Sequence, residues 1–174
     1  MELRSEGGAT RLRATFPYGV ETELAPGRRE TVAPRAFGDR IEAGEDIHML
    51  AGHDFEKPLA SRAAGSLEIR DTDAGLEVRA EIDTGTSWAK DFLSAHRAGL
   101  IKGLSPGFRV LPDGERIERR GDGYLRTVTR AALFEISAVT RPAYTQAQIE
   151  ARAWTPGEPA PDAGLVRALA RWRA

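Results

Sequence analysis

Apolar and polar residues alternate along this chain in short runs broken by turn residues, the pattern of strands with one face in a core. Residues 11–16 set Leu12, Ala14 and Phe16 against Arg11, Arg13 and Thr15, and Pro17-Tyr18-Gly19 stops the run. Residues 20–24 and 29–32 read as short strands around the Pro26-Gly27 turn. The clearest hairpin leads from Leu67 and Ile69 through Asp71-Thr72-Asp73-Ala74-Gly75 to Leu76, Val78, Ala80 and Ile82. Glu77, Arg79 and Glu81 alternate with that second arm, so only one face of its sheet is buried. Residues 46–51 form a compact strand, Ile47-His48-Met49-Leu50, that runs at once into Gly52-His53-Asp54. Strands are also predicted over 103–110, 115–119 and 124–130. Residues 131–140 carry Leu133, Phe134, Ile136 and Val139, a buried segment interrupted by Glu135.

Helical spacing is rarer. Pro34 opens a short helix through Ala36, Phe37 and Ile41 that Gly44 closes. Thr86 or Ser87 caps a second, running to residue 98, with Trp88, Phe92 and Ala95 as its buried stripe and Gly99 as its stop. A short helical stretch follows over 146–154, and 165–172 reads as a small amphipathic helix. The pattern predicts an α+β fold rich in strands. Its domain spans 10–153, after a flexible start over 1–9 and before a Pro/Gly linker over 154–164 and a tail over 165–174.

Composition narrows the function classes. A chain of 174 residues suits one domain with a core of its own, and a net charge of −1 points to neither nucleic acid nor an anionic membrane. Lys57, Lys90 and Lys102 are the lysines; the other basic residues are arginines, which with the abundant alanine reads as coding bias and not as a phosphate-binding surface. With no cysteine, disulfides, thiolate zinc sites and cysteine nucleophiles are excluded. No apolar run approaches the ~18 residues of a membrane helix and no signal-peptide pattern opens the chain, so a soluble intracellular protein is expected. No cofactor and no metal is called for.

The chemistry centres on Gly103-Leu104-Ser105-Pro106-Gly107-Phe108-Arg109-Val110. Leu104, Phe108 and Val110 share one strand face, leaving Ser105 between two glycines on the other: a nucleophile with open space, or a polar residue at a glycine bulge. Gly-x-Ser-x-Gly also matches a hydrolase nucleophile elbow. That elbow needs a helix after the serine, a backbone N–H at the next residue and a histidine downstream. Here a strand continues, Pro106 has no N–H, and His48, His53 and His96 all precede Ser105. The α/β-hydrolase fold is therefore excluded. A serine nucleophile still needs a base and a group to orient it. His96 sits in the last turn of a helix and His48 inside a strand; His53 projects from a loop beside Asp54, as a base or as a surface histidine. Glu135, in the most apolar stretch of the C-terminal half, either orients a base or pairs with an arginine such as Arg130 or Arg141. A carboxylate hydrolase using Glu135 with Asp54 has little support, since nothing in the sequence pairs them.

At these residues the chain resembles the prohead serine proteases of tailed bacteriophages, distant kin of herpesvirus assemblins. The resemblance runs through Pro34-Arg35-Ala36-Phe37, Leu50-Ala51-Gly52-His53-Asp54 with Lys57-Pro58-Leu59, Ala74-Gly75-Leu76, residues 99–108, and Leu133-Phe134-Glu135-Ile136-Ser137-Ala138-Val139-Thr140-Arg141-Pro142-Ala143. It implies a partly closed, assemblin-like antiparallel β-barrel with a few surrounding helices. It implies His53 as general base, Ser105 as nucleophile and Glu135 as third member, although assemblins use a second histidine there. The implied reaction is endoproteolytic cleavage of the scaffold segment of the major capsid protein, and of the protease itself, inside a procapsid in the bacterial cytoplasm. A homodimer is implied by the assemblin analogy alone. Arg35 replaces a glycine of the family pattern, Ala60-Ser61 stands where relatives often have glycine, and Pro106 removes one oxyanion donor. Gly107 N–H and Arg141 are the remaining oxyanion candidates. The contrasting reading is a non-catalytic capsid-assembly or scaffolding module on the same fold.

Overall fold

The structure, a computed structural model, describes residues 2–6 and 9–142. The expected helix over 146–154, the linker and the tail lie outside the described residues. Along the chain run β1 (Glu2–Glu6), β2 (Ala9–Pro17), β3 (Thr22–Ala25), β4 (Arg28–Val32), α1 (Gly38–Glu42), β5 (His48–Ala51) and β6 (Asp54–Ser61). The second half adds β7 (Leu67–Asp71), β8 (Gly75–Asp83), α2 (Ser87–Arg97), β9 (Gly103–Val110), β10 (Glu115–Arg120), β11 (Gly123–Val128) and β12 (Ala131–Val139). Among the described residues strands predominate and helices are few, so the α+β, strand-rich expectation holds.

Among the described residues the strands form three four-stranded sheets, ordered β1-β2-β8-β7, β10-β11-β4-β3 and β6-β5-β12-β9. Among the described residues no sheet closes on itself, so the expected partly closed barrel is not confirmed. The first sheet is antiparallel throughout. The other two each contain one parallel pair, β4 with β11 and β5 with β12. Parallel neighbours must be joined through a long crossover, so strands far apart in sequence become adjacent. This is how β12 comes to lie between β5 and β9.

One core joins the inner faces of all three sheets. Leu12 and Val78 come from the first, Val32 and Val128 from the second, Met49, Leu104 and Ile136 from the third, with Phe92 of α2. Phe37, fully buried, packs its ring against Phe16, Tyr18 and Phe108. Full burial of one such side chain stabilises by about 1.5–3 kcal/mol. In the second sheet Arg126 and Glu30 are register partners on β11 and β4, and their side chains pair at 3.0 Å while almost fully buried. Glu115 on β10 closes the pair at 2.5 Å from Arg126 Nε. A slip of β4 by one residue would turn Glu30 to the other face and part it from Arg126, so the pair favours this parallel register.

Most predicted elements are present, and Thr86 caps α2 by accepting from Ala89 N–H. Two strands were not expected. Glu2–Glu6, within the segment expected to fray, pairs with β2. Asp54–Ser61 is the edge strand of the third sheet, and its first half is mostly exposed and carries Lys57 and Pro58. Charge and proline are typical of an edge strand, and they hide it from a search for alternation.

Candidate active site

The third sheet has two faces, and a single irregularity on β12 decides which residues share them. Ala131, Leu133, Ile136 and Ala138 all belong to the core, a sequence that breaks strict alternation. The break is a bulge: Leu133 pairs with Phe108 of β9, whereas Glu135 pairs with the next residue, Gly107. Phe134 is the extra residue, and the guanidinium of Arg40 lies 4.6 Å from its ring centre. Past the bulge, Glu135 and Ser137 turn away from the core. Gly107 and Ser105 stand opposite them on β9, with Glu135 facing Gly107 and Ser137 facing Ser105.

The histidine arrives from the other side of β12. β5 and β6 form a hairpin in which Ala51 pairs with Asp54, leaving Gly52 and His53 as its two-residue turn. Both turn residues have positive φ, 69° and 62°, the pattern of the type I′ turn that suits twisted hairpins. Gly52 N–H donates to Ala138 O of β12 at 3.1 Å, tying the turn to the neighbouring strand. His53 carries a side chain in a left-handed conformation that glycine adopts more readily. Its backbone N–H donates to Ser137 Oγ at 2.9 Å.

The side chains then close a small network. His53 Nδ1 lies 2.6 Å from Glu135 Oε1, and Ser137 Oγ donates to Glu135 Oε2 at 2.6 Å. Glu135 is 4% exposed and Ser137 is 0% exposed. With the carboxylate ionised and the imidazole neutral, Nδ1 is the donor of this contact and Nε2 keeps its lone pair. Nε2 is buried and has no hydrogen-bond partner among the described residues. Ser105, 2% exposed, lies one strand from Ser137. The carboxylate that binds the imidazole thus stands on the strand next to the one that carries Ser105.

Gly107 has a steric role in this arrangement. A β-carbon there would stand 2.0 Å from Glu135 Oε1 and 2.7 Å from its carboxyl carbon, so the carboxylate occupies the space a side chain would take. Arg141, the other oxyanion candidate, is exposed and lines a cavity of about 460 Å³ that also includes His53. Its alternative role as ion-pair partner of Glu135 is not seen, nor is that of Arg130, which pairs with Asp39 at 2.7 Å. Asp54 points elsewhere: Lys57 binds it at 2.9 Å and holds its carboxyl below the usual range. His48 lies 3.6 Å from Asp46, and His96, in the last turn of α2, has its pKa lowered by burial. Ser137 was not singled out from the sequence; its signal is its position two residues after Glu135, on the same strand face.

A mostly buried carboxylate–imidazole pair next to a serine-bearing strand has the layout of a serine-type hydrolase. A family model described as caudovirus prohead serine protease matches residues 11–158, and the chain belongs to that family. Membership makes it a serine protease of the capsid-maturation class, whose members act on capsid proteins. Comparison with curated proteins and with solved structures found no match. Among the described residues no helix is long and apolar enough to cross a membrane.

Proposed function

We propose that the chain matures a phage-type procapsid by cutting the scaffold segment of the major capsid protein, and itself, with Ser105 as nucleophile. The observation that carries this reading is His53, bound to Glu135 through Nδ1 at 2.6 Å while Nε2 stays buried and unpartnered. A base needs that division of labour between its two nitrogens. Nε2 takes the proton from Ser105 Oγ as the oxygen attacks the scissile carbonyl carbon, then gives it to the leaving amine. Water, deprotonated by the same nitrogen, releases the acyl group and restores Ser105. Glu135 holds the imidazole in the acceptor tautomer and offsets the positive charge that develops on it.

Ser137 is a positioning residue in this scheme. It fixes the carboxylate from one side and the His53 backbone from the other. Pro106 offers no N–H to the developing oxyanion, so Gly107 N–H remains the nearest backbone candidate on β9. In the resting structure His53 and Ser105 are not hydrogen-bonded to one another. Bonds of this kind often tighten only when substrate is bound.

A fluorophosphonate probe tests the nucleophile directly. The wild-type chain is expected to gain one adduct, mapped to Ser105 by peptide mass, and His53→Ala to lose nearly all labelling. Labelling indifferent to His53→Ala, or no adduct at all, would favour the non-catalytic assembly module instead.

A further inference from the structure

The reading above leaves open how a substrate is selected, and a cavity beside His53 bears on that. It has a volume of about 460 Å³ and lies between α2, the hairpin turn at Gly52 and His53, and the end of β12. Trp88, Phe92 and Ala95 line it from α2, Ile101 from the segment that follows, and Val139 from β12. Trp88 is held in place by its indole N–H, which donates to Pro58 O at 2.9 Å, and Phe92 is part of the core. These walls are apolar.

Three charged side chains, Lys57, Asp91 and Arg141, and the hydroxyl-bearing Thr140 are also in the lining. Lys57 already pairs with Asp54. Charge is thus confined to a few groups around an aromatic and aliphatic interior, the usual composition of a pocket that anchors an apolar group. Its volume exceeds that of a single side chain. Ser105 is not part of the lining; His53 is the residue that the cavity shares with the proposed catalytic network.

Resting on the protease reading, we infer that this cavity is the specificity pocket, taking a bulky apolar side chain of the substrate peptide near the scissile bond. A leucine-, methionine- or phenylalanine-sized group would bury its surface against Trp88, Phe92, Ile101 and Val139. A small group would bury little apolar surface there and a charged group would lose hydration against it, so the pocket discriminates by apolar burial.

Cleavage-site profiling of the full chain on a peptide mixture is the test. Wild type is expected to enrich bulky apolar residues at least tenfold over glycine at one fixed position relative to the cut. Ala95→Trp, which places an indole in the cavity, is expected to shift that position toward glycine, alanine and serine. Fluorophosphonate labelling of the wild type separates the two levels. A labelled enzyme that cuts with no apolar preference, or whose preference survives Ala95→Trp, overturns the pocket and leaves the protease reading standing. A chain that neither labels nor cuts overturns both. Should Ala95→Trp not fold, the wild-type profile alone decides.

Discussion

Gly107 and Ser137 enclose the Glu135 carboxylate, one by lacking a side chain and the other by donating a hydroxyl proton at 2.6 Å. Gly107→Ala drives a β-carbon into Oε1, and the carboxylate, boxed in by β9 and Ser137, must leave His53. We expect cleavage to fall at least a hundredfold and stability by about 1–3 kcal/mol, the range of overpacked sites; urea unfolding and capsid-protein turnover check the two halves. Ser137→Ala removes a buried hydrogen bond to a charged group, worth about 1.5–3 kcal/mol. If the hydroxyl positions the base, kcat should drop tenfold or more with KM nearly unchanged, because substrate binding does not use it. An equal loss in KM alone would mean that Ser137 shapes the binding surface. Arg35 shows the reverse economy at a residue: it stands at φ 58°, where the family pattern has the glycine such a backbone favours, and its Nε donates to Asp73 at 2.7 Å.

At the scale of elements, the turn after β2 is tied to β7 through one buried phenol. Tyr18 donates to Asp71 at 2.7 Å. Burial, and then the bond to Asp71, push the phenol pKa far above its ordinary value, and burial raises that of Asp71. A phenol whose pKa is higher folded than unfolded contributes stability that is complete below its unfolded value of about 10 and is lost as pH rises beyond it. Thermal unfolding across pH 8–11 should therefore show wild type losing Tm above about pH 10. Tyr18→Phe should start lower, by about 1.5–3 kcal/mol for the missing bond to a carboxylate, and lose less over the same range. Parallel pH profiles would contradict this.

Elements also show what the sequence could reveal. The β7–β8 hairpin and α2 were legible because local alternation, turn residues and a threonine cap agree with the final packing. The bulge at Phe134 was not, since it depends on pairing with β9, and without it Glu135 would have faced the core by simple alternation from Leu133. Nor was β6 legible, an exposed edge with Pro58 in it.

Across the whole molecule, the active-site proposal depends on long-range order. His53 and Glu135 are separated by 82 residues and meet because β5 runs parallel to β12, a pairing that no local pattern encodes. Residue chemistry together with the family resemblance nevertheless points to His53, Ser105 and Glu135, and the fold brings His53 to Glu135 and sets Ser105 on the adjoining strand. Ser137 escaped because a serine in a buried run announces no role until its partners are in place. The measurement closest to the central claim is intact mass spectrometry of the major capsid protein co-expressed with this chain. Wild type should yield a capsid protein shortened by one defined scaffold segment, and Ser105→Ala, correctly folded, should leave it full length, a loss of about 10⁴-fold or more in rate. A capsid protein trimmed equally by both would contradict the account.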